Sequence, residues 1–310
     1  MAGGTVLVTG ATGFIGSHVL RALPPGSEAV GLASSVYPSS RDAVRLVRMT
    51  LPHPDLDELI ARLRPAVVVH CAGVASVGLS MTSPGVDFQS GPPVVFQLYD
   101  AIRKAGTDTR VVQLSSAAVY GNPGVLPVAE HAPLGPISPY GWHKRMCEDL
   151  AHEFCGLYGI SSAVLRVFSC YGAGLRKQLL WDVGHKLRAG DAVFSGTGEE
   201  TRDYVHVRDL ARFIVHLSKA WPGPGVHVCN VGSGQETSVR AMVEHMAAGC
   251  GLGHVTPEFS GAARKGDPQN WRADIGRARQ LGLELTVPLE DGVHEYARWF
   301  LEQVKGTARQ

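Results

Sequence analysis

Val6-Leu-Val-Thr-Gly10-Ala-Thr-Gly13-Phe-Ile-Gly16-Ser-His-Val19 decides the fold. A short apolar run enters a glycine-punctuated turn, and an amphipathic helical pattern follows. One glycine suits the tightest point of the turn, a second lets backbone approach a pyrophosphate, and a third lets the helix pack on the strand. The helix N-terminus then offers its free N–H groups to the phosphates. The strand before and the helix after separate this pattern from an ordinary glycine-rich turn. The segment reads as a dinucleotide site, with Gly10, Thr12, Gly13, Phe14, Ile15 and Gly16 facing the cofactor.

Outward from that turn, strand-like runs at Thr5–Thr9, Ala29–Leu32, Ala66–Cys71, Arg110–Ser115 and Ser162–Val167 alternate with helical patterns near Gly13–Leu23, Leu56–Leu63, Pro92–Lys104 and Tyr140–Tyr158. Alternating β and α predicts an α/β fold, a Rossmann-type doubly wound parallel sheet with right-handed crossovers. Ala66-Val-Val-Val-His70-Cys71 is apolar on both faces, as a central strand should be. After about residue 170 the rhythm changes. Gln178–Ala189, Val239–Ala248 and Pro288–Val304 read as helices, and Ala192–Gly196 and Val226–Val231 as short strands. The expected division is a dinucleotide-binding part over 1–168 plus about 206–235, and a smaller C-terminal α/β substrate lobe over 169–205 and 236–310.

The chain has 310 residues and is 45% hydrophobic, enough for a large core. Its 29 basic and 28 acidic residues leave a net charge of +1. No long-range field therefore favours a nucleic acid polymer or an anionic membrane, and any anionic ligand must be held locally. No apolar run approaches the roughly 18 residues of a membrane span, and no basic signal-peptide head precedes the first strand. The expected location is cytoplasmic. Cys71, Cys147, Cys155, Cys170, Cys229 and Cys250 are scattered without a CxxC pair and read as small buried hydrophobes. The 13 histidines show no HExxH or comparable spacing, so no metal is expected.

Tyr140-Gly-Trp-His-Lys144 opens a helix after Pro136-Ile-Ser-Pro139, and the i, i+4 spacing stacks Tyr140 and Lys144 on one face. A phenol is a weak base at neutral pH, but a fixed ammonium within about 4–6 Å favours its phenolate and brings it into acid/base range. The plain alternative is a packed tyrosine beside a solvated lysine. Upstream, Val111-Val-Gln-Leu-Ser115-Ser116 is a buried strand ending in two hydroxyls, where a doubly wound sheet faces its ligand crevice. Ser116 reads either as a partner of a substrate hydroxyl or carbonyl or as a cap of the following turn. Tyr120 closes that turn and reads as packing rather than reacting.

Gly10/Gly13/Gly16, Ser116 and Tyr140/Lys144, in this order, resemble the extended short-chain dehydrogenase/reductase superfamily, and most closely its NAD-dependent epimerase/dehydratase branch acting on nucleotide sugars. The resemblance covers nearly the whole chain. It implies a Rossmann core, bound NAD with NADP as the alternative, and a nucleoside diphosphate sugar as substrate. It implies that Ser116 and Tyr140 straddle the sugar hydroxyl that is oxidised, while Lys144 also holds the nicotinamide ribose. Cys71, Ala72 and Gly73 then border the cofactor, and Ser34 its adenosine end. Gly196-Thr-Gly-Glu-Glu-Thr-Arg202-Asp-Tyr-Val-His206-Val-Arg-Asp209 resembles the family's substrate-lobe segment, whose arginine contacts the diphosphate. Arg264-Lys-Gly-Asp267 resembles a later element presenting a second arginine. Planar guanidinium groups suit phosphate oxygens, although a surface salt bridge is the alternative for each. Ser80, in the loop after Ala66–Cys71, and Ser169, after Leu165-Arg-Val-Phe168, match ligand-contacting positions. Relatives pair through helices matching Pro92–Lys104 and Tyr140–Tyr158, which implies a homodimer built on a four-helix bundle.

Departures from the family pattern narrow the reading. The 4,6-dehydratases carry an Asp-Glu pair just after the catalytic hydroxyl, where this chain has Ala117 and Ala118. Loss of water by that route is therefore not expected, and hydride transfer remains. The second strand ends Gly31-Leu-Ala33-Ser34-Ser35, without the acid that binds the adenosine ribose in NAD-preferring relatives. A 2′-phosphate is then admissible, with Ser34, Ser35, Arg41 or Arg45 as partners. Ser90-Gly91-Pro92 stands where an asparagine usually supports the active-site backbone, and Ala75 replaces a lysine found near the nicotinamide in some epimerases. The expected activity is a nucleotide-sugar 4-epimerase with Tyr140 as general acid/base. An NADPH-dependent 4-ketoreductase using the same residues is the second reading, and a catalytically silent dinucleotide sensor the third.

Overall fold

The computed structural model describes residues 4–35, 44–261 and 269–307. The chain opens with β1 (Val6–Thr9), α1 (Phe14–Ala22), β2 (Ala29–Ala33), β3 (Val44–Arg48), α2 (Leu56–Leu63) and β4 (Val67–His70). Two short helices, α3 (Val77–Thr82) and α4 (Pro84–Gln89), lead into α5 (Pro92–Ala105), β5 (Arg110–Ser116), α6 (Pro139–Tyr158) and β6 (Ser162–Val167). Then come β7 (Ser169–Tyr171), α7 (Gln178–Arg188), β8 (Val193–Phe194), β9 (Thr201–Arg202), β10 (Tyr204–His206), α8 (Val207–Lys219) and β11 (Val226–Val231). The chain closes with β12 (Thr237–Ser238), α9 (Val239–Gly249), β13 (Glu258–Phe259), α10 (Gly276–Gln280) and α11 (Leu289–Thr307).

Seven strands form one parallel sheet in the order β11-β6-β5-β4-β1-β2-β3. The order reverses beside β1, so the crevice between the ends of β1 and β4 is the topological switch point where such sheets bind ligands. Thr9 lies opposite His70 in the register, so both strands end at the same level. One face of the sheet is covered by α1 and α8, whose apolar sides join Val8, Val69, Val112 and Leu165 in a buried cluster. The other is covered by α2, α5 and α6 around Leu7, Val68, Val111 and Val164. A third cluster lies outside the sheet, where α7, α9 and α11 bury Val183, Met246, Tyr296 and Phe300 together.

Several elements differ from the sequence reading. Val44–Arg48 is a strand that the reading misses, because it lies at the sheet edge and alternates apolar residues with Arg45 and Arg48. The sequence reading gives residues 207–219 no element, yet they form α8, whose buried Val207, Leu210, Ala211, Ile214 and Leu217 follow the helical period. The strand expected over Ala192–Gly196 shrinks to Val193–Phe194, paired with the unforeseen Glu258–Phe259.

A buried charge network ties the ends of β5 and β6 to α6. Glu148 accepts from Arg166 Nε at 3.0 Å and Nη2 at 2.7 Å, and from Ser115 Oγ at 2.5 Å. Arg166 Nη1 donates to the Tyr120 hydroxyl at 2.8 Å, which donates to Asn230 Oδ1 on β11 at 2.7 Å. Tyr120 is thus a packed, bonded residue. Removing one partner of a buried ion pair leaves an uncompensated charge, which costs about 3–5 kcal/mol. Glu148→Gln is therefore expected to lower the unfolding free energy by about that amount in urea titrations. A loss below about 1 kcal/mol, the range of an exposed ion pair, would show that the network carries little of the stability.

Candidate functional site

Two loops meet backbone to backbone at the switch point. Gly10 adopts φ +64°, and a Cβ there would sit 2.8 Å from the Cys71 carbonyl and from the Ala72 nitrogen. A Cβ at Gly16 would lie 2.3 Å from the Gly10 carbonyl oxygen, and one at Gly13 3.1 Å from it. Glycine at these positions follows from the lack of space. The resulting cradle, with Gly13 capping α1, holds the free N–H groups of a helix N-terminus in the crevice and fits a pyrophosphate. Thr9 Oγ1 accepts from the Ala72 N–H at 3.1 Å and lies 2.8 Å from His70 Nδ1, which locks the two loops together. Thr12 Oγ1 donates to the Ser35 carbonyl at 3.2 Å, bringing the end of β2 and the exposed Ser34 to the glycine turn. Phe14 stacks edge-on with His18, whose Nε2 lies 2.9 Å from the Ala173 carbonyl. Ile15 packs into the sheet core, while Gly73, at φ +128°, comes close to Ser90.

The end of β5 carries two hydroxyls that alternate across the strand. Ser115 points into the Glu148 network, and Ser116 caps the short 3₁₀ turn Ala117–Val119 by accepting from the Ala118 N–H at 3.2 Å. Ser116 thus fills the capping role at the ligand edge. Its half-buried side chain stands next to α6, because Gly141 lets that helix approach the turn: a Cβ there would sit 2.5 Å from the Ala118 carbonyl oxygen. Ser138 caps α6 by accepting from the Gly141 N–H at 3.2 Å, and Pro139 fills its first turn. Tyr140 is then held beside the 116–118 turn. Lys144 lies one helical turn on, its Nζ 5.8 Å from the Tyr140 ring centroid and donating to the Leu114 carbonyl at 2.9 Å. The structure therefore brings Ser116, Tyr140, Lys144, the glycine turn and Cys71–Gly73 to one edge of the sheet.

Other expected positions fare differently. Ser80 lies in α3 rather than in a loop; it is fully buried and donates to the Val77 carbonyl at 2.7 Å, so it is removed from the set of ligand contacts. Arg45 lies inside β3 opposite Val30, three residues and roughly 10 Å short of the ligand edge, where Arg48 faces Ala33 instead. Arg41 and Arg264 fall outside the described residues. Ser169 begins β7, half-buried, with its N–H bonded to the Asp203 carbonyl. Arg202 is half-buried on β9, donates to the carbonyls of Thr201 and Gln269 at 2.8 and 3.2 Å, and lies over Trp271.

Two polar features, Asp203 and Lys177, escape the sequence reading, and Ser90, singled out there only as a departure, gains a partner. Asp203 is fully buried; it accepts from the N–H groups of Ser233, Gly234 and Ala273 at 2.5 to 2.9 Å, anchoring the residues beside Arg202. Lys177 donates to the Ala75 carbonyl at 2.7 Å, so a cation stands beside position 75 although that residue is alanine. Partial desolvation and the charge of Lys144 lower its pKa from the usual lysine value. Ser90 Oγ accepts from the Val74 N–H at 3.3 Å, supporting the backbone next to a position where the family resemblance expects asparagine. The signal for Lys177 lies in the pairing of two residues 102 apart, which no local pattern reveals.

The NAD dependent epimerase/dehydratase family model matches residues 6–232. The UDP-glucose 4-epimerase of Mycolicibacterium smegmatis is 32% identical over 311 residues, covering 95% of this chain and 97% of its own. That of Azospirillum brasilense is 33% identical over 315 residues, covering 92% and 88%. Among solved structures, MoeE5 in complex with UDP-glucose and NAD matches with a TM-score of 0.86 and 30% identity, covering 97% of this chain and all 100% of that one. The UDP-glucose 4-epimerase of Thermotoga maritima with UDP-glucose matches with a TM-score of 0.87 and 27% identity, covering 97% and 99%.

Two buried histidines, His70 at the end of β4 and His206 at the head of α8, set the protein's response to acid. Burial, reinforced for His70 by the charge of Lys144 and for His206 by that of Arg208, pushes both down to about 3, against about 6.5 in an unfolded chain. Between those values the unfolded chain binds protons that the folded chain refuses, so stability is full above about pH 6.5 and falls as pH drops toward 3. From pH 7 to pH 5 each histidine is expected to remove about 2 kcal/mol of unfolding free energy. His206 Nδ1 accepts from the Arg208 N–H at 3.2 Å, a cap that asparagine can replace. Urea titrations at the two pH values should show a smaller drop in His206→Asn, and an undiminished drop would contradict a neutral buried His206.

Proposed function

Because the chain belongs to the NAD dependent epimerase/dehydratase family, we propose that it is a nucleotide-sugar epimerase working at C4 by reversible hydride transfer, with NAD as its cofactor. The observation that carries this reading is the gathering of the Tyr140–Lys144 helix face and the Ser116 hydroxyl at the sheet edge that also bears the Gly10 cradle. Gly10, Thr12, Gly13, Phe14, Ile15 and Gly16 hold the pyrophosphate, Ser34 the adenosine end, and Cys71, Ala72 and Gly73 the nicotinamide side. Bound nicotinamide supplies a hydride acceptor and donor. Tyr140 takes the proton of the sugar C4 hydroxyl and gives it back, Ser116 hydrogen-bonds the same oxygen, and the Lys144 ammonium beside the tyrosine favours its phenolate. Arg202, Ser169 and Arg264 contact the nucleoside diphosphate sugar, with UDP-glucose, bound by MoeE5 and the Thermotoga relative, as the substrate to test first. Residues 1–168 with about 206–235 serve the cofactor, and 169–205 with 236–310 the substrate.

One observation favours a second reading, an NADPH-dependent 4-ketoreductase. The end of β2 offers Ser34 and Ser35 rather than a carboxylate, and the register sets Arg48 across from Ala33 at the same edge. A 2′-phosphate would meet a cation there instead of an acid.

Denaturing the purified protein and identifying the released nucleotide separates the two. Near-stoichiometric NAD, with interconversion of UDP-glucose and its C4 epimer, is the expected result. An empty site that binds NADPH better than NADH would overturn it in favour of the reductase. Tyr140→Phe is expected to lower kcat by at least about 100-fold while leaving the released NAD unchanged, since acid–base catalysis of this kind is worth about 10²–10⁴.

Two copies pair, in this reading, through α5 and α6. Phe96 on α5 and Trp142 and Met146 on α6 are 48%, 47% and 42% exposed, large apolar side chains that a second copy would cover. Light scattering should give the mass of two chains, reduced to one by Phe96→Glu with Trp142→Glu. A single-chain mass for the unaltered protein would exclude the pairing.

A further inference from the structure

Asp87 on α4 is a carboxylate with only 2% of its side chain exposed, and the hydrogen bond described for it comes from His143 Nδ1 at 2.5 Å. His143, 14% exposed, directly precedes Lys144 on α6, and Phe88 packs edge-on against its ring at 5.3 Å. Burying a carboxylate is costly unless a partner compensates it. The partner here is an imidazole ring, which can carry the compensating positive charge. Because Nδ1–H is committed to Asp87, the tautomer is set, and Nε2 is the nitrogen open to exchange.

The same pair shares a small cavity with the catalytic groups. His70, Ser90, Tyr140, Lys144 and Cys147 are among its other walls, and its volume is about 20 Å³. That is room for one water, which needs two to four polar partners of the kind found on these walls. The other titratable groups facing it are silent near neutral pH. Burial holds His70 neutral, with a pKa of about 3, and pushes the Cys147 thiol up to about 11. Tyr140, Lys144, Asp87 and His143 are the remaining ionisable groups on its walls. No local pattern in Tyr140-Gly-Trp-His143-Lys144 announces this, since Asp87 is 56 residues away.

We propose that Asp87 and His143 form a proton-holding pair which, through one water in this cavity, passes protons between Tyr140 with Lys144 and the solvent at the α4–α6 surface. This rests on the reading of Tyr140 as the acid/base. The water takes the Tyr140 proton as it hands one of its own to His143 Nε2; the ring becomes an imidazolium balanced by the Asp87 carboxylate, and Nε2 releases the proton outward. No electrons move. In an epimerase the pair resets the tyrosine when a keto sugar escapes mid-cycle, and in a reductase it supplies the proton consumed each turnover.

Histidine-selective ¹⁵N NMR titration of the full-length protein tests the coupling without any turnover. The expected result is a His143 ring protonated at Nδ1, whose Nε2 titration midpoint moves in Tyr140→Phe and in Lys144→Met. Identical His143 titrations in all three proteins would overturn the proposal whatever sugar the enzyme uses. Kinetics test its use where a proton is consumed each turnover. In NADPH-dependent reduction of a keto sugar, Asp87→Asn and His143→Gln should each lower kcat about tenfold to a hundredfold with KM unchanged, whereas in epimerisation, where Tyr140 recovers its own proton, they should slow only the recovery of enzyme stalled after a keto sugar escapes. In reduction both should remove the same limb of the pH–rate profile, and the double variant should equal either single one. Reduction pH–rate profiles that superimpose on the unaltered protein's would overturn a role in catalysis. Failure of the unaltered protein to carry NAD(P) or to lose activity in Tyr140→Phe would instead count against the proposed function, and the NMR result would stand by itself.

Discussion

The approach of Gly10 to the Cys71–Ala72 backbone sets the rest of the molecule. No side chain fits between these two loops, so β1 and β4 deliver their ends to one point. Thr9 extends the lock by accepting the Ala72 N–H and by lying against His70. The crevice is therefore built on backbone, which a parallel sheet holds rigidly, rather than on long side chains. Rigidity matters wherever a crevice positions reacting groups, because small displacements cost large factors in rate.

Beneath this crevice the sheet carries buried charge instead of pure hydrocarbon. Arg166, Glu148, Tyr120 and Asn230 link β6, α6, the turn after Ser116, and β11. Their net contribution to stability is small if every partner is present, because desolvation offsets much of the attraction. Their consequence is positional: Ser115 is drawn into the network, which leaves its neighbour Ser116 on the opposite side of the strand. The glycine at 141 then brings α6 onto that turn. Two hydroxyl-bearing segments distant in sequence thus share one edge through a salt bridge and a missing Cβ.

The doubly wound core was legible because its strands are apolar and its helices amphipathic, signals that need no tertiary context. β3 escaped because an edge strand with two arginines lacks that signal, and with it went the location of Arg48. α8 escaped although its apolar period is clear, because its first residues overlap the Arg202–Asp209 segment, which resembles a substrate-binding motif. Within the site, the glycine turn and the Tyr140–Lys144 spacing are local and so were readable. Ser80 was misjudged because its surroundings fold into a helix that buries it. Lys177 with Ala75 and Asp87 with His143 are pairs that only the folded chain brings together.

The distribution of acids limits what the site does. Ala117 and Ala118 are buried where an eliminating pair of carboxylates would stand. Among the described residues around the Tyr140–Lys144 cavity, the one carboxylate is Asp87, and it is committed to His143. Elimination of water requires a second acid in contact with the sugar, and a group engaged at 2.5 Å with another ring does not provide it. Cations are instead contributed from separate segments, Lys144 from α6 and Lys177 from the entry of α7, which converge closely enough for one to lower the proton affinity of the other. An anionic ligand relieves that repulsion, so charge complementarity favours an anion where Lys144 and Lys177 converge.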